Sequence, residues 1–357
     1  MKIMIITTPR ELGGGETYVN NLIKGLPCHK FLVLTSLQEF NNKLKIEGIQ
    51  SRLLIMSVKF LSRFHIVLFL ILTPFNIIQY LWYLLVFNPD IVHIQSREEQ
   101  ILVTPIARIL GKKVIWTLHG LVEKSNRVID WMFLMSSLKV NRVIAISIFV
   151  EKSLKSYGMK SPISVIYHGV DLKRFKPAVF NNSQIIIGFI GRLVNIKRPE
   201  IFLDASIEML QRLPQAQVWI VGDGNLKTKM ENKVSTLAIK DRIKFLGFRQ
   251  DTERIIRQFT ILLITSQTEG LAISALESIA SGVPVVSVPV GALPEVVSKE
   301  TGLLVDSDNP KIIAEQILSL IKDKNLLLKL KKTCRKVAEK KFSLDRMITE
   351  TDLVYKV

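Results

Sequence analysis

Ile185-Ile186-Ile187-Gly188-Phe189-Ile190-Gly191-Arg192-Leu193 is the stretch on which the fold turns. Its first six residues are apolar, mostly β-branched and too few for a helix, so they predict a buried strand. The run closes on a glycine and a cation, where a parallel strand hands over to its loop. Working outward, short runs of the same kind recur at 217–221, 243–246, 261–264 and 285–288, and before it at 3–7, 31–35, 91–94, 114–118, 143–146 and 165–166. Helical-length segments separate them. That alternation predicts an α/β protein with parallel sheets covered by helices on both faces.

The pattern lapses at 173–183, where Pro177, Asn181 and Asn182 break it without apolar periodicity. A hinge there divides the chain into two Rossmann-like domains facing a central cleft, residues 1–176 and 177–341. Residues 342–357 follow a Lys-rich helix at about 326–341 and form a closing helix. A chain of 357 residues suits two such domains. In sheets of this kind ligands lie beyond the carboxyl ends of the strands.

Composition narrows the function. Hydrophobic residues make up 48% and charged residues 22%, as in a folded protein. Cys28 and Cys334 are too few for a disulfide framework or a Cys-rich zinc module, and a reducing cytoplasm fits them. The net charge of +18 is uneven: residues 1–180 hold 23 basic and 11 acidic side chains, and residues 181–357 hold 26 and 20. A basic surface suits anionic partners. No basic–aromatic interleaving of the base-reading kind is present, which argues against nucleic acid and for an acidic membrane surface. Residues 66–87 carry no charge over a length that could span a bilayer. Thr73, Pro74, Asn76 and Gln79 interrupt them, so a helix broken at Pro74, buried or pressed onto lipid, is favoured over a span.

Four constellations carry chemistry, each with a plainer alternative. Gly13-Gly14-Gly15 follows the first strand and opens a helix near Glu16, a place for an anion or simply a tight turn. Arg192 and Lys197 would neutralise a diphosphate, although Arg198 beside them also suits a solvated face. Glu269 and Glu277 stand eight apart; on one helix they would be turned by about 80° and separated by about 12 Å, a poor acid–base pair. The better reading puts Glu269 in a loop and starts the helix near Ser274, where Ser274-x-x-Glu277 also reads as a capping box. His119, at a strand end, is by itself structural or catalytic. Asp306-Ser307-Asp308 reads as a polar turn, and no metal site is expected.

Together these motifs resemble glycosyltransferase family 4. Gly191-Arg192-Leu193-x-x-x-Lys197, Val221-Gly222-Asp223-Gly224, Leu246-Gly247-Phe248-Arg249, the Glu269-x7-Glu277 stretch, Ala280-Ser281-Gly282-Val283-Pro284 and Gly291-Ala292-x-Pro294-Glu295 follow the family's donor-domain order. The first half matches more loosely, through the glycine loop, Pro89-Asp90-Ile91-Val92-His93, Thr117-Leu118-His119-Gly120 and His168-Gly169-Val170-Asp171. The sequence departs from the family at Gly270-Leu271-Ala272, where Gly-Phe-Gly is frequent, and at Gly291-Ala292, where Gly-Gly is.

The resemblance implies the two-domain GT-B architecture, retention of anomeric configuration and no metal or other cofactor. It assigns Arg192 and Lys197 to the donor diphosphate and Glu269 to the hydroxyls of the transferred sugar. Glu277 falls to the ribose, and the backbone of Leu271, Ala272 and Ile273 to sugar and phosphate. Phe248 and Arg249 flank the base, Gly14 and Gly15 cover the diphosphate, and His119 stands at the donor sugar. The implied donor is a nucleoside diphosphate sugar, UDP favoured over GDP. The basic, apolar first half adds a lipid-linked glycan or lipopolysaccharide-type acceptor, reached by peripheral contact with the inner face of the plasma membrane. A nucleotide-sugar epimerase and a non-catalytic sugar- or lipid-binding relative are the alternatives.

Overall fold

The computed structural model describes residues 1–9, 13–55, 63–122, 124–177 and 184–357, with only the backbone taken for 63–70. The chain forms two compact units, Met1–Tyr167 with Met347–Val357, and His168–Arg346. Part of the expected hinge, residues 178–183, lies outside the described residues.

The first unit runs β1 (Lys2–Thr7), α1 (Gly14–Gly25), β2 (Lys30–Thr35), α2 (Gln38–Ile46), β3 (Ser51–Leu53), α3 (Arg63–Phe87), β4 (Ile91–Ile94), α4 (Arg97–Ile109), β5 (Lys113–Leu118), α5 (Arg127–Ser137), β6 (Arg142–Ala145), α6 (Ile148–Tyr157) and β7 (Ile163–Val165). Its sheet has the order β3-β2-β1-β4-β5-β6-β7, parallel throughout. The order reverses direction between β1 and β4. Ile3 to Ile6, Val92 and Trp116 are fully buried, as strands covered on both faces require. Trp116 stacks on Phe133 of α5 with ring centroids 5.2 Å apart.

The second unit runs β8 (Ile185–Ile190), a 3-10 turn (Asn195–Lys197), α7 (Pro199–Arg212), β9 (Ala216–Val221), α8 (Lys227–Ser235), β10 (Ile243–Gly247), α9 (Thr252–Ile256), β11 (Ile261–Ile264), α10 (Ile273–Ala280), β12 (Val285–Ser287), α11 (Leu293–Val296), β13 (Gly302–Leu304), α12 (Pro310–Lys322) and α13 (Lys324–Lys341). The parallel sheet β10-β9-β8-β11-β12-β13 changes direction between β8 and β11. Val170 bridges to Ser343, and the backbone bonds Val170 N to Phe342 O and Leu344 N to Val170 O fix the closing segment.

α14 (Leu344–Lys356) then carries the chain back to the first unit. Its Tyr355 hydroxyl lies 2.7 Å from Nδ1 of His93, whose Nε2 lies 2.7 Å from Thr117 Oγ1. Burial lowers the His93 pKa to about 3, so the ring stays neutral and serves as a link inside the core.

Two expectations change. The strands β3 and β13 are three residues long and half polar or glycine-led, too brief to show as apolar runs. α3 is continuous through Pro74 rather than broken at it. One i→i−4 bond is forgone there, while Asn76, Tyr80 and Leu84 bury the following turns against the unit. Among the described residues no helix is long and apolar enough to cross a membrane.

Candidate functional site

The second unit places its candidate residues at the carboxyl ends of its strands. Arg192 and Lys197 follow β8, Phe248 and Arg249 follow β10, Glu269 follows β11 and Gly291 follows β12. β8 and β11 flank the reversal of strand order, the position where an open α/β sheet leaves a crevice.

Across that position Lys197 Nζ donates to Glu269 Oε1 at 2.6 Å, and Ser266 Oγ donates to the same oxygen at 2.6 Å. Glu269 is buried and Lys197 keeps about a quarter of its side chain exposed. The carboxylate is therefore satisfied on one oxygen, and the ammonium is held in place with donors to spare. The neighbouring Arg198 has a different role. Its guanidinium donates to the carbonyls of Thr265 (2.7 Å) and Ser266 (3.0 Å) and pairs with Asp308 at 2.7 Å. It ties the 3-10 turn to the loop after β11, so of the adjacent cations one is structural and the other faces Glu269.

Backbone packing holds these loops. Gly191 N donates to Val221 O at 3.0 Å, and Leu193 N to Asp223 O at 2.8 Å. Gly222, at φ +131°, approaches so closely that a Cβ would lie 1.9 Å from Gly191 O. Gly291, at φ +59°, lies against the Glu269 backbone in the same way, with a Cβ falling 2.1 Å from Glu269 O, and Ala292 N donates to that oxygen at 2.9 Å. Two glycine-bearing loops thus set the positions of Arg192 and Glu269.

α10 begins at Ile273 with Ala272 as its cap and no side-chain capping bond. The Ser274–Glu277 capping box does not form, because Ser274 already lies inside the first turn. Leu271 and Ala272 are buried and lead into the helix N-terminus, where backbone N–H groups are available to an anion. Burial raises the Glu277 pKa to about 7, with Arg174 pulling it down and Glu253 pushing it up. Arg174 is itself committed to Glu253, at 3.0 and 2.8 Å. Phe248 projects into solvent, 73% exposed. Arg249 makes a two-bond pair with Asp251, both contacts 2.8 Å.

The first unit carries two cavities at the carboxyl ends of its central strands, one beyond β4 and β5 and the other beyond β1, β4 and β5. One, of about 490 Å³, is lined by Gln95, Arg97, Glu98, His119, Gly120 and Lys124 among others. The second, of about 320 Å³, is lined by Thr7, Thr8, Gly15, Glu16, Gln95 and His119 among others. His119 and Gln95 border both. Gly14 and Gly15 form the first turn of α1, and Glu16 Oε2 accepts from Gly13 N at 2.6 Å. The Tyr18 ring stands edge-on to His119 at 5.3 Å, and burial lowers the His119 pKa to about 4. The imidazole is neutral at physiological pH.

Sequence reading missed Gln95, Ser266 and the Arg174–Glu253 pair. Both amide atoms of Gln95 are buried with no hydrogen-bond partner among the described residues. Its position directly after β4 was the available sign. Among the described residues no group of three or more His, Cys, Asp or Glu could hold a metal ion.

Comparison with known proteins agrees with this organisation. The family model for "Glycosyl transferases group 1" matches residues 184–323, and that for "Glycosyltransferase Family 4" matches residues 12–174. The chain belongs to the group 1/family 4 glycosyltransferases, and its two α/β units have the GT-B fold. It is 28% identical over 358 residues to an uncharacterized glycosyltransferase of Methanocaldococcus jannaschii, covering 96% of this chain and 94% of the relative. It is 26% identical over 292 residues to the UDP-Gal:alpha-D-GlcNAc-diphosphoundecaprenol alpha-1,3-galactosyltransferase of Escherichia coli, covering 74% and 75%. The solved structure of Anabaena HepE with UDP superposes with a TM-score of 0.85 at 18% identity over the full length of both chains.

Proposed function

We propose that this glycosyltransferase moves a hexosyl or N-acetylhexosaminyl group, with retention, from a UDP-sugar to a hydroxyl of a lipid-linked glycan or lipopolysaccharide-type acceptor. The observation that carries the reading is the Lys197–Glu269 pair at the strand-order reversal of the second unit. Arg192, Lys197 and the N-terminus of α10 bind the diphosphate and stabilise it as it leaves. Glu269 accepts hydrogen bonds from the sugar hydroxyls, and Glu277 from the ribose. The exposed Phe248 and the Arg249–Asp251 pair flank the base.

In the proposed step the acceptor hydroxyl attacks the anomeric carbon on the face from which the diphosphate departs. The bond from that carbon to the diphosphate oxygen breaks as the new glycosidic bond forms. The hydroxyl proton passes to a phosphate oxygen of the leaving group. No side chain is needed as a base, in keeping with a neutral His119 that hydrogen-bonds the sugar instead. The names of the galactosyltransferase relative and of the UDP-bound structure support the donor, and the first of these the acceptor class.

A thermal-shift screen against UDP, GDP and ADP tests the donor. A ligand at 100 times its dissociation constant stabilises by about 2.7 kcal/mol. UDP should shift the transition selectively, and Arg192→Ala should abolish the shift. A chain that responds to none of the three does not bind its donor as proposed.

A further inference from the structure

The outer face of the first unit's α3-α4-α5 layer has the composition of a membrane-contacting surface. α3 buries Asn76, Tyr80 and Leu84 on one side. On the opposite side it exposes Ile71, Phe75, Ile78, Trp82 and Leu85, at alternating steps of four and three residues. α5 repeats the arrangement: Ile129 and Phe133 face inward, while Val128, Trp131, Met135 and Leu138 face solvent. α4 packs against both and exposes Ile109 at its end. Single exposed apolar residues need no explanation; two helices of one layer, each with an outward stripe that includes a tryptophan, do.

Charge selects the occupant. No aspartate or glutamate occurs from Gly48 to Pro89. Among the described residues, none of the three helices carries an exposed acidic side chain: Glu99 is buried, Glu98 is partly covered, and Asp130 is held by Arg97 at 2.6 Å. Cations border the apolar stripes instead. Lys2 and Lys112 stand at the end of α3, bonded to Phe87 O and Asn88 Oδ1 respectively. Arg108, Arg127 and Lys139 are exposed at the ends of α4 and α5. A basic-rimmed apolar face bearing tryptophans matches the headgroup boundary of an anionic bilayer.

We infer that this face docks on an anionic lipid surface, with α3 in the plane of the membrane and Trp82 and Trp131 at the headgroup level. The inference deepens the acceptor reading and rests on it for its purpose, which is to bring the enzyme to a lipid-linked acceptor.

The test is co-sedimentation of the full chain with vesicles of phosphatidylcholine alone or with about one-third phosphatidylglycerol. Because it needs no acceptor and no turnover, its failure is separable from failure of the transferase reading. Binding to the anionic vesicles should exceed binding to the neutral ones by about tenfold at low salt and fall at high salt. The double variant Ile78→Glu, Trp82→Glu should lose most of it, and Trp131→Glu part, each variant keeping the wild-type UDP thermal shift as a check of folding. Two results overturn the inference. One is equal sedimentation of wild type and the double variant. The other is a dimer, seen by light scattering, that the same variant dissociates while the wild type ignores vesicles.

Discussion

The two sheets of this chain present their candidate residues in opposite ways. At the carboxyl edge of the second, charges are already engaged: Lys197 with Glu269, Arg249 with Asp251, Arg198 with Asp308. At the corresponding edge of the first, the groups around the cavities include a neutral His119 and a Gln95 whose amide atoms have no partner among the described residues. An ion pair fixed before the ligand arrives suits recognition of one invariant charged group. A buried neutral imidazole and an amide at these cavities suit a ligand recognised by shape and hydroxyls. The difference fits the proposal that the second unit takes the fixed diphosphate of the donor, while the first meets hydroxyls of sugar and acceptor.

The sharpest way to break this contrast is Lys197→Ala. It removes the cation proposed to face the departing diphosphate and leaves the Glu269 carboxylate bonded to Ser266. Turnover should fall by about 10²- to 10³-fold, the order found for loss of one preorganised stabilising donor. Initial rates at saturating donor measure it. Wild-type turnover would remove Lys197 from the site. The same substitution should leave the first unit's stability unchanged.

Next in size is the backbone support behind Arg192. Gly222→Ala forces a Cβ to within 1.9 Å of Gly191 O at a φ of +131°, so one of the two loops must move. The expected cost is on the order of 1–3 kcal/mol in the second unit. Thermal unfolding should show this as a lower transition, with a weaker UDP shift because Arg192 sits on the displaced loop. An unchanged transition would mean that the loop packing is not what positions Arg192.

These glycines also explain what was legible beforehand. Gly222 and Gly291 meet neighbouring backbone, so no other residue fits, and such positions leave sharp motifs. The parallel sheets were readable because their strands are buried on both faces and apolar throughout. β3 and β13 were not, being three residues each at or near sheet edges. The Ser274–Glu277 spacing misled because a capping box and a loop–helix junction share one local pattern, and only the backbone at Ala272 separates them. Gln95 escaped because a glutamine becomes conspicuous only when burial and the lack of a partner are known.

The third prediction concerns pH and sharpens the role of Glu277. Its folded-state pKa of about 7 lies above the ordinary carboxyl range. The folded protein therefore holds this proton longer than the unfolded chain, and the stability so gained at low pH is lost as pH rises towards 7. If Glu277 takes the ribose as proposed, the hydroxyls donate best to the ionised carboxylate, so UDP binding should move the other way and tighten with rising pH. Between pH 6 and 8 the ionised fraction grows about tenfold, and the affinity should follow it. Calorimetric titration across that interval checks this. In Glu277→Gln the part of the pH dependence that belongs to the protein should vanish; an unaltered profile would assign Glu277 to packing.

The smallest effect tests the other side of the comparison. Gln95 lines both cavities of the first unit, and its amide, buried without a partner among the described residues, is proposed to turn to a ligand there. Replacing it by alanine removes the proposed bonds while also removing two polar atoms buried without partners among the described residues, which by itself stabilises the empty protein slightly. Transfer efficiency toward the acceptor should fall by about five- to tenfold, the value of a single neutral hydrogen bond. The UDP thermal shift should stay at its wild-type size, since the diphosphate is proposed to be held mainly by residues of the other unit. If Gln95→Ala instead weakened UDP binding and left acceptor efficiency untouched, the cavity of the first unit would belong to the donor. The contrast between a charged edge proposed for the donor and a neutral one proposed for the acceptor would then fail at its weaker end, while the Lys197–Glu269 proposal would stand on its own test.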